Sequence, residues 1–96
     1  MKLVEVVKSN KPDKKYQAKF LTDEGRTKTT HFGAANMDDY TITKDKEQRE
    51  RYRSRHQKDL RTNDPTRAGF LSFHLLWGDS TNLQRNISAY KKRFNL

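Results

Sequence analysis

Cysteine is absent from the 96 residues, which excludes a disulfide framework and any thiolate-held metal. Apolar residues are scarce, at 31% against 34% charged, so one small core is all the chain can build. No apolar run approaches the length of a membrane-spanning helix. The first residues, Met1 to Val7, are apolar but broken by Glu5, and too short for the core of a signal peptide. These absences lead us to expect synthesis in a reducing intracellular compartment. A His-x-x-x-His pair and a glycine-rich phosphate loop are also missing, so no common metal or nucleotide motif is present. Low hydrophobicity with high charge is the signature of disorder. Against that stand five Phe, four Tyr and one Trp at regular spacings, which argue for a folded chain.

Acidic residues are outnumbered, and the formal charge is +9. Such a balance favours nucleic acid, an anionic membrane face or an acidic protein as partner. The excess is uneven. Residues 41–62 carry eight Lys/Arg against four acids, and residues 63–96 carry five against two. Little of it lies in a tail.

The first third reads as strands. Leu3 to Val7 is short and β-branched, and Ser9 to Asp13 is a turn cluster containing Pro12. Tyr16, Ala18 and Phe20 alternate with polar neighbours, as do Lys28, Thr30 and Phe32. A three-residue loop, Asp23-Glu24-Gly25, with Gly25 left-handed, pairs Phe20 with Lys28, Ala18 with Thr30 and Tyr16 with Phe32. A two-residue loop would turn Phe32 away from the apolar face, so the pattern selects the longer one.

Residues 33–39 read as a crossing loop and Tyr40 to Thr43 as a short extended piece. Lys44 to Leu60 is rich in strong helix formers, with Thr43 as N-cap and a thin stripe of Tyr52, His56 and Leu60. Asp64 and Pro65 predict the start of a second helix, buried nearly all round through Trp77 and capped by Gly78. Asp79 or Ser80 would cap a last helix, on which Leu83, Ile87, Tyr90 and Phe94 share one face. The expected fold class is α+β: a small three-stranded antiparallel sheet followed by three helices packed on one face, all in a single domain over 1–96. Its strand region is 1–33 and its helical region 44–94.

Arg49, Arg51, Arg53 and Arg55 recur every second residue, so at about 100° per residue they fan around the helix. With Lys58, Arg85, Lys91, Lys92 and Arg93, and in a wider surface Lys14 and Lys15, they are the candidate contacts to phosphate or to an acidic partner. The competing reading is a solvated helix partly neutralised by pairs at Asp45–Arg49 and Glu47–Arg51. A basic end to the last helix is also explained by the helix dipole. Tyr40 and Tyr52 could stack on bases, but their spacing favours the core. Asp39 is expected to pair with an arginine. His31, Asp38, Asp39 and His56 could together hold a metal. Their spacing specifies no metal site, so His31 and His56 are expected to be hydrogen-bonded and His74 to pack beside the buried helix. No catalytic residue, cofactor, metal or small-molecule substrate is expected.

Thr30-His31-Phe32-Gly33-Ala34-Ala35, Asp39-Tyr40-Thr41, Lys44-Asp45, Arg51-Tyr52 and Arg55-His56 occur in order. Asp64-Pro65-Thr66, Ala68-Gly69, Leu71-Ser72, Leu76-Trp77 and Tyr90-Lys91-Lys92-Arg93-Phe94 continue the order. From about Lys15 to Phe94 the chain resembles a family of small basic proteins of large double-stranded DNA viruses of algae and protists. The resemblance implies a viral origin, synthesis in host cytoplasm, a place in the virion, and no catalytic residues to carry over. The resulting expectation is a non-enzymatic virion protein that binds nucleic acid without sequence specificity, in genome packaging. The alternative is a minor capsid protein docking on acidic surfaces of other virion proteins. A metal-dependent nuclease is the third, least favoured reading.

Overall fold

A computed structural model describes all 96 residues. Strands β1 (Lys2–Lys8), β2 (Lys14–Leu21) and β3 (Thr27–Ala34) form an antiparallel meander in the order β1-β2-β3. The β2–β3 register is the one the apolar pattern selects: Phe20 faces Lys28, Ala18 faces Thr30 and Tyr16 faces Phe32. The loop is closed by Thr22 N–H donating to Arg26 O at 2.8 Å, and Gly25 sits at φ +84°. A side chain there would stand in the disfavoured left-handed region. Gly25→Ala is therefore expected to cost about 1–2 kcal/mol, read as a lowered urea midpoint at unchanged slope.

In β1 the register slips between Leu3 and Glu5. The extra residue of this bulge re-aims the strand. Leu3 and Val6, three apart, both reach the core, while Val4 and Val7 are exposed.

Four helices follow: α1 (Tyr40–Thr43), α2 (Lys46–His56), α3 (Ala68–Leu71) and α4 (Leu83–Arg93). A 3₁₀ segment, Gln57–Thr62, extends α2, and a π-helical segment, Ser72–Leu76, extends α3. One core joins Leu3, Ala18, Phe20 and Phe32 of the sheet to Tyr40, Phe70, Leu71, Leu75, Leu76, Trp77 and Tyr90. Burying each large side chain contributes about 1.5–3 kcal/mol.

Several helix boundaries differ from the sequence reading. Tyr40 to Thr43 is a helical turn and not an extended piece, because the Asp39 carboxylate accepts from Thr41 N at 2.8 Å. Lys44 then turns left-handed at φ 58°, separating α1 from α2. The N-cap of α2 is Asp45 and not Thr43. Its carboxylate accepts from Glu47 N at 3.0 Å and Gln48 N at 3.2 Å, and aspartate is the stronger cap.

The second helix starts at Ala68 and not at Pro65. Asp64 holds Thr66 in a turn, while Thr30 Oγ1 donates to Thr66 O at 2.7 Å and Lys28 Nζ to Thr66 Oγ1 at 2.8 Å. Those bonds pin the segment to β3. The helix ends at Trp77, and Gly78 serves a close approach: a Cβ there would lie 2.1 Å from His74 O. Asn82, not Asp79 or Ser80, caps α4 by accepting from Arg85 N at 3.1 Å. The stripe Leu83, Ile87, Tyr90 and Phe94 packs against the core as the spacing predicts.

Candidate polyanion-binding surface

Helix α2 has no buried residue and almost no apolar side, so its arginines decide how it docks. Arg49 and Arg53, four apart, share one side of it. Arg49 Nε donates to Gly78 O at 2.6 Å and its Nη2 to Asp79 Oδ1 at 2.7 Å, while Nη1 pairs with Glu50. Arg53 Nη1 donates to Trp77 O at 2.9 Å, and its guanidinium lies 4.4 Å from the centre of the Phe73 ring. These carbonyls end the π-helical segment, where backbone acceptors lack intrahelical donors. Both arginines are thus occupied in holding α2 to the core. Burial, followed by the charge of Arg49, depresses the proton affinity of Arg53.

The expected pairs Asp45–Arg49 and Glu47–Arg51 do not form. Asp45 is committed to its cap and Arg49 to the far helix end. Asp39 pairs with no arginine. It is 1% exposed, accepts from Lys15 Nζ at 2.5 Å, and also takes the Thr41 amide and hydroxyl. Lys15 lies beside it through the sheet, a proximity no local spacing reveals.

Arg51, Arg55 and Lys58 are exposed and have no carboxylate within ion-pair distance. So is Arg61, which the sequence reading passed over. In a 3₁₀ helix, residues three apart eclipse, so Lys58 and Arg61 stand one above the other. Ser54, Arg55, Gln57, Lys58, Leu60 and Arg61 line one open groove.

Arg55 also lines a second cleft, of about 570 Å³, together with Lys14, Lys15, His56, Tyr52 and Trp77. Groove and cleft therefore meet at Arg55. Of the expected wider basic surface, Lys14 joins α2 here, and Arg93 approaches Arg53 elsewhere. Arg85, Lys91 and Lys92 are exposed on α4 and line neither the groove nor the cleft.

Tyr40 and Tyr52 are packing residues. Tyr40 is buried, and Tyr52 stacks between Trp77 at 4.3 Å and His56 at 4.1 Å, leaving no free ring face. Burial, with Asp59 nearby, pushes the Tyr52 hydroxyl up to about 12. His31 Nδ1 meets Ser9 Oγ at 2.7 Å, and His56 Nδ1 meets Asp59 Oδ2 at 3.1 Å. Asp38, Asp39 and His56 line the cleft without His31, and no three His, Asp or Glu side chains converge to hold a metal.

Asn86 is a buried polar residue that the apolar stripe of α4 concealed. Its Nδ2 donates to Leu75 O at 3.0 Å and Ser80 O at 2.8 Å, and its Oδ1 accepts from Ser80 N at 3.0 Å. It ties α4 to the end of the π-helical segment, which Arg49 and Arg53 also grip.

Fold and surface together define a small basic α+β protein: a three-stranded meander carrying a helix with one docked and one free row of cations. Residues 4–56 match DUF5754, a family of unknown function. That is more than half of the chain, and the protein belongs to this family. No curated protein and no solved structure matches it.

Proposed function

We propose that this protein binds nucleic acid through its phosphate backbone, without reading base sequence and without catalysing a reaction. The observation carrying this reading is the row Arg51, Arg55, Lys58 and Arg61, exposed and free of carboxylate partners, with Lys14 lining the cleft that Arg55 shares. Cations already neutralised by acids would release no counterions from DNA, whereas free ones do. Arg supplies a planar fork suited to phosphate oxygens. The resemblance drawn from the sequence makes a packaged viral genome the natural polymer.

Four phosphate contacts predict a log–log salt slope of about −3.6 on duplex DNA, a loss of roughly 150-fold between 50 and 200 mM salt. Fluorescence anisotropy with a labelled duplex of arbitrary sequence measures it. Failure to bind at the lower salt, or affinity indifferent to salt, overturns the proposal. A competition arm with polyglutamate tests the other reading, a minor capsid protein docking on acidic protein. Displacement of DNA by polyglutamate at equal charge concentration would assign the surface to acidic protein instead.

A further inference from the structure

Three elements bring cationic or imidazole groups to one small cavity away from the groove. Arg53 comes from α2, Arg93 from α4 and His74 from the π-helical segment, with Asn86 and Tyr90 in the walls, around about 260 Å³. Asp79 is the single carboxylate lining it, and its Oδ1 is already engaged by Arg49. Two guanidinium groups facing one cavity repel each other, and the one carboxylate there, exposed and shared with Arg49, offsets them only in part. Arg53 is held in place by Trp77 O and the Phe73 ring, while Arg93, exposed at the end of α4, lies 5.4 Å from the Phe94 ring centre. A fixed fork loses little freedom when it binds an anion.

We propose that Arg53, Arg93 and His74 form a binding site for a phosphate dianion, free or as the terminal monoester of a larger molecule. Two facing guanidiniums match a doubly charged tetrahedral group better than a singly charged carboxylate. The cavity is below the usual range of about 300–1,000 Å³ for small-molecule pockets, which suits a phosphoryl group and not a whole nucleotide. His74 is half-buried among Phe70, Phe73, Tyr90 and Phe94. Burial first, then Arg93 and Arg53, depress its pKa to about 4, so near neutral pH it is uncharged and can donate one N–H. It also sits in a π-helical turn, a distortion that recurs at functional sites. The site uses the Arg53 side of α2 and does not depend on the proposed polyanion surface.

The test follows the His74 ring signals by NMR during titration with inorganic phosphate, against sodium chloride of equal ionic strength. Saturable movement and a raised His74 pKa are expected, since a neighbouring anion favours the imidazolium. Arg93→Gln, at an exposed position, should weaken the phosphate response at least tenfold while leaving the unfolding midpoint close to wild type. A short 5′-phosphorylated oligonucleotide and its unphosphorylated twin distinguish the sources. A response to the phosphorylated strand, with little to free phosphate, identifies a strand end as occupant. No response to either phosphate source, or an unchanged response in Arg93→Gln, overturns the proposal.

Discussion

Asp39→Ala is expected to destabilise the protein by about 3–5 kcal/mol, the usual cost of removing one partner from a buried ion pair. The carboxylate is 1% exposed and serves two tasks at once. It neutralises Lys15, whose own side chain is 13% exposed, across 2.5 Å. It also caps α1 through the Thr41 amide at 2.8 Å. Alanine leaves the largely covered Lys15 side chain without a counter-charge and the helix end without its acceptor.

A domain of this size has about 5–15 kcal/mol in total, so the midpoint of thermal unfolding should fall by more than about 10 °C. Removing the pair together, as Lys15→Met with Asp39→Asn, should cost less than Asp39→Ala alone, because no charge is left stranded. Urea unfolding of the two variants beside wild type decides it. A loss below about 1 kcal/mol for Asp39→Ala would mean that Lys15 reaches water and the pair is a surface contact.

The second large effect is a division of labour within one helix. Replacing Arg51, Arg55, Lys58 and Arg61 together with glutamine should bring the salt slope of DNA binding from about −3.6 towards zero. Stability should change by less than about 1 kcal/mol, since none of the four is in an ion pair. Arg49→Gln with Arg53→Gln should do the reverse. Each loses a charge-assisted bond to a backbone carbonyl, worth about 1.5–3 kcal/mol, and α2 loses its grip on the end of the π-helical segment. At temperatures where that variant is folded, its DNA affinity should stay within a few-fold of wild type. Binding assays paired with denaturation separate the two sets. Loss of affinity in the Arg49/Arg53 variant at full stability would refute the division.

Parts of this arrangement are legible one residue at a time. The alternation of Tyr16, Ala18 and Phe20, with Gly25 placed where a left-handed residue is needed, fixes the β2–β3 register, because a slip would turn every apolar residue outward. The stripe from Leu83 to Phe94 is equally local. The caps were less legible. Thr43 and Asp45 are both good candidates two residues apart, and only the left-handed turn at Lys44 shows that two helices meet there. The bulge in β1 leaves no mark in a run of valines.

The candidate surface depended still more on distant contacts. Arg49, Arg51, Arg53 and Arg55 are the same residue at a regular spacing, and α2 has no apolar face to say which side turns inward. The side was chosen by acceptors 24 and 29 residues away, the carbonyls of Trp77 and Gly78. Asp39 met Lys15 and not an arginine for the same reason: the sheet carries the lysine there.

Composition and periodicity by themselves determined that the chain is basic and folded, with a meander followed by helices. These are properties of neighbours in sequence, set by the geometry of strand and helix. Tertiary structure alone decided which cations are spent on holding the protein together and which stand free. Arg49 and Arg53 turn inward because carbonyls of another element, those of Gly78 and Trp77, reach them, and no spacing within α2 encodes that.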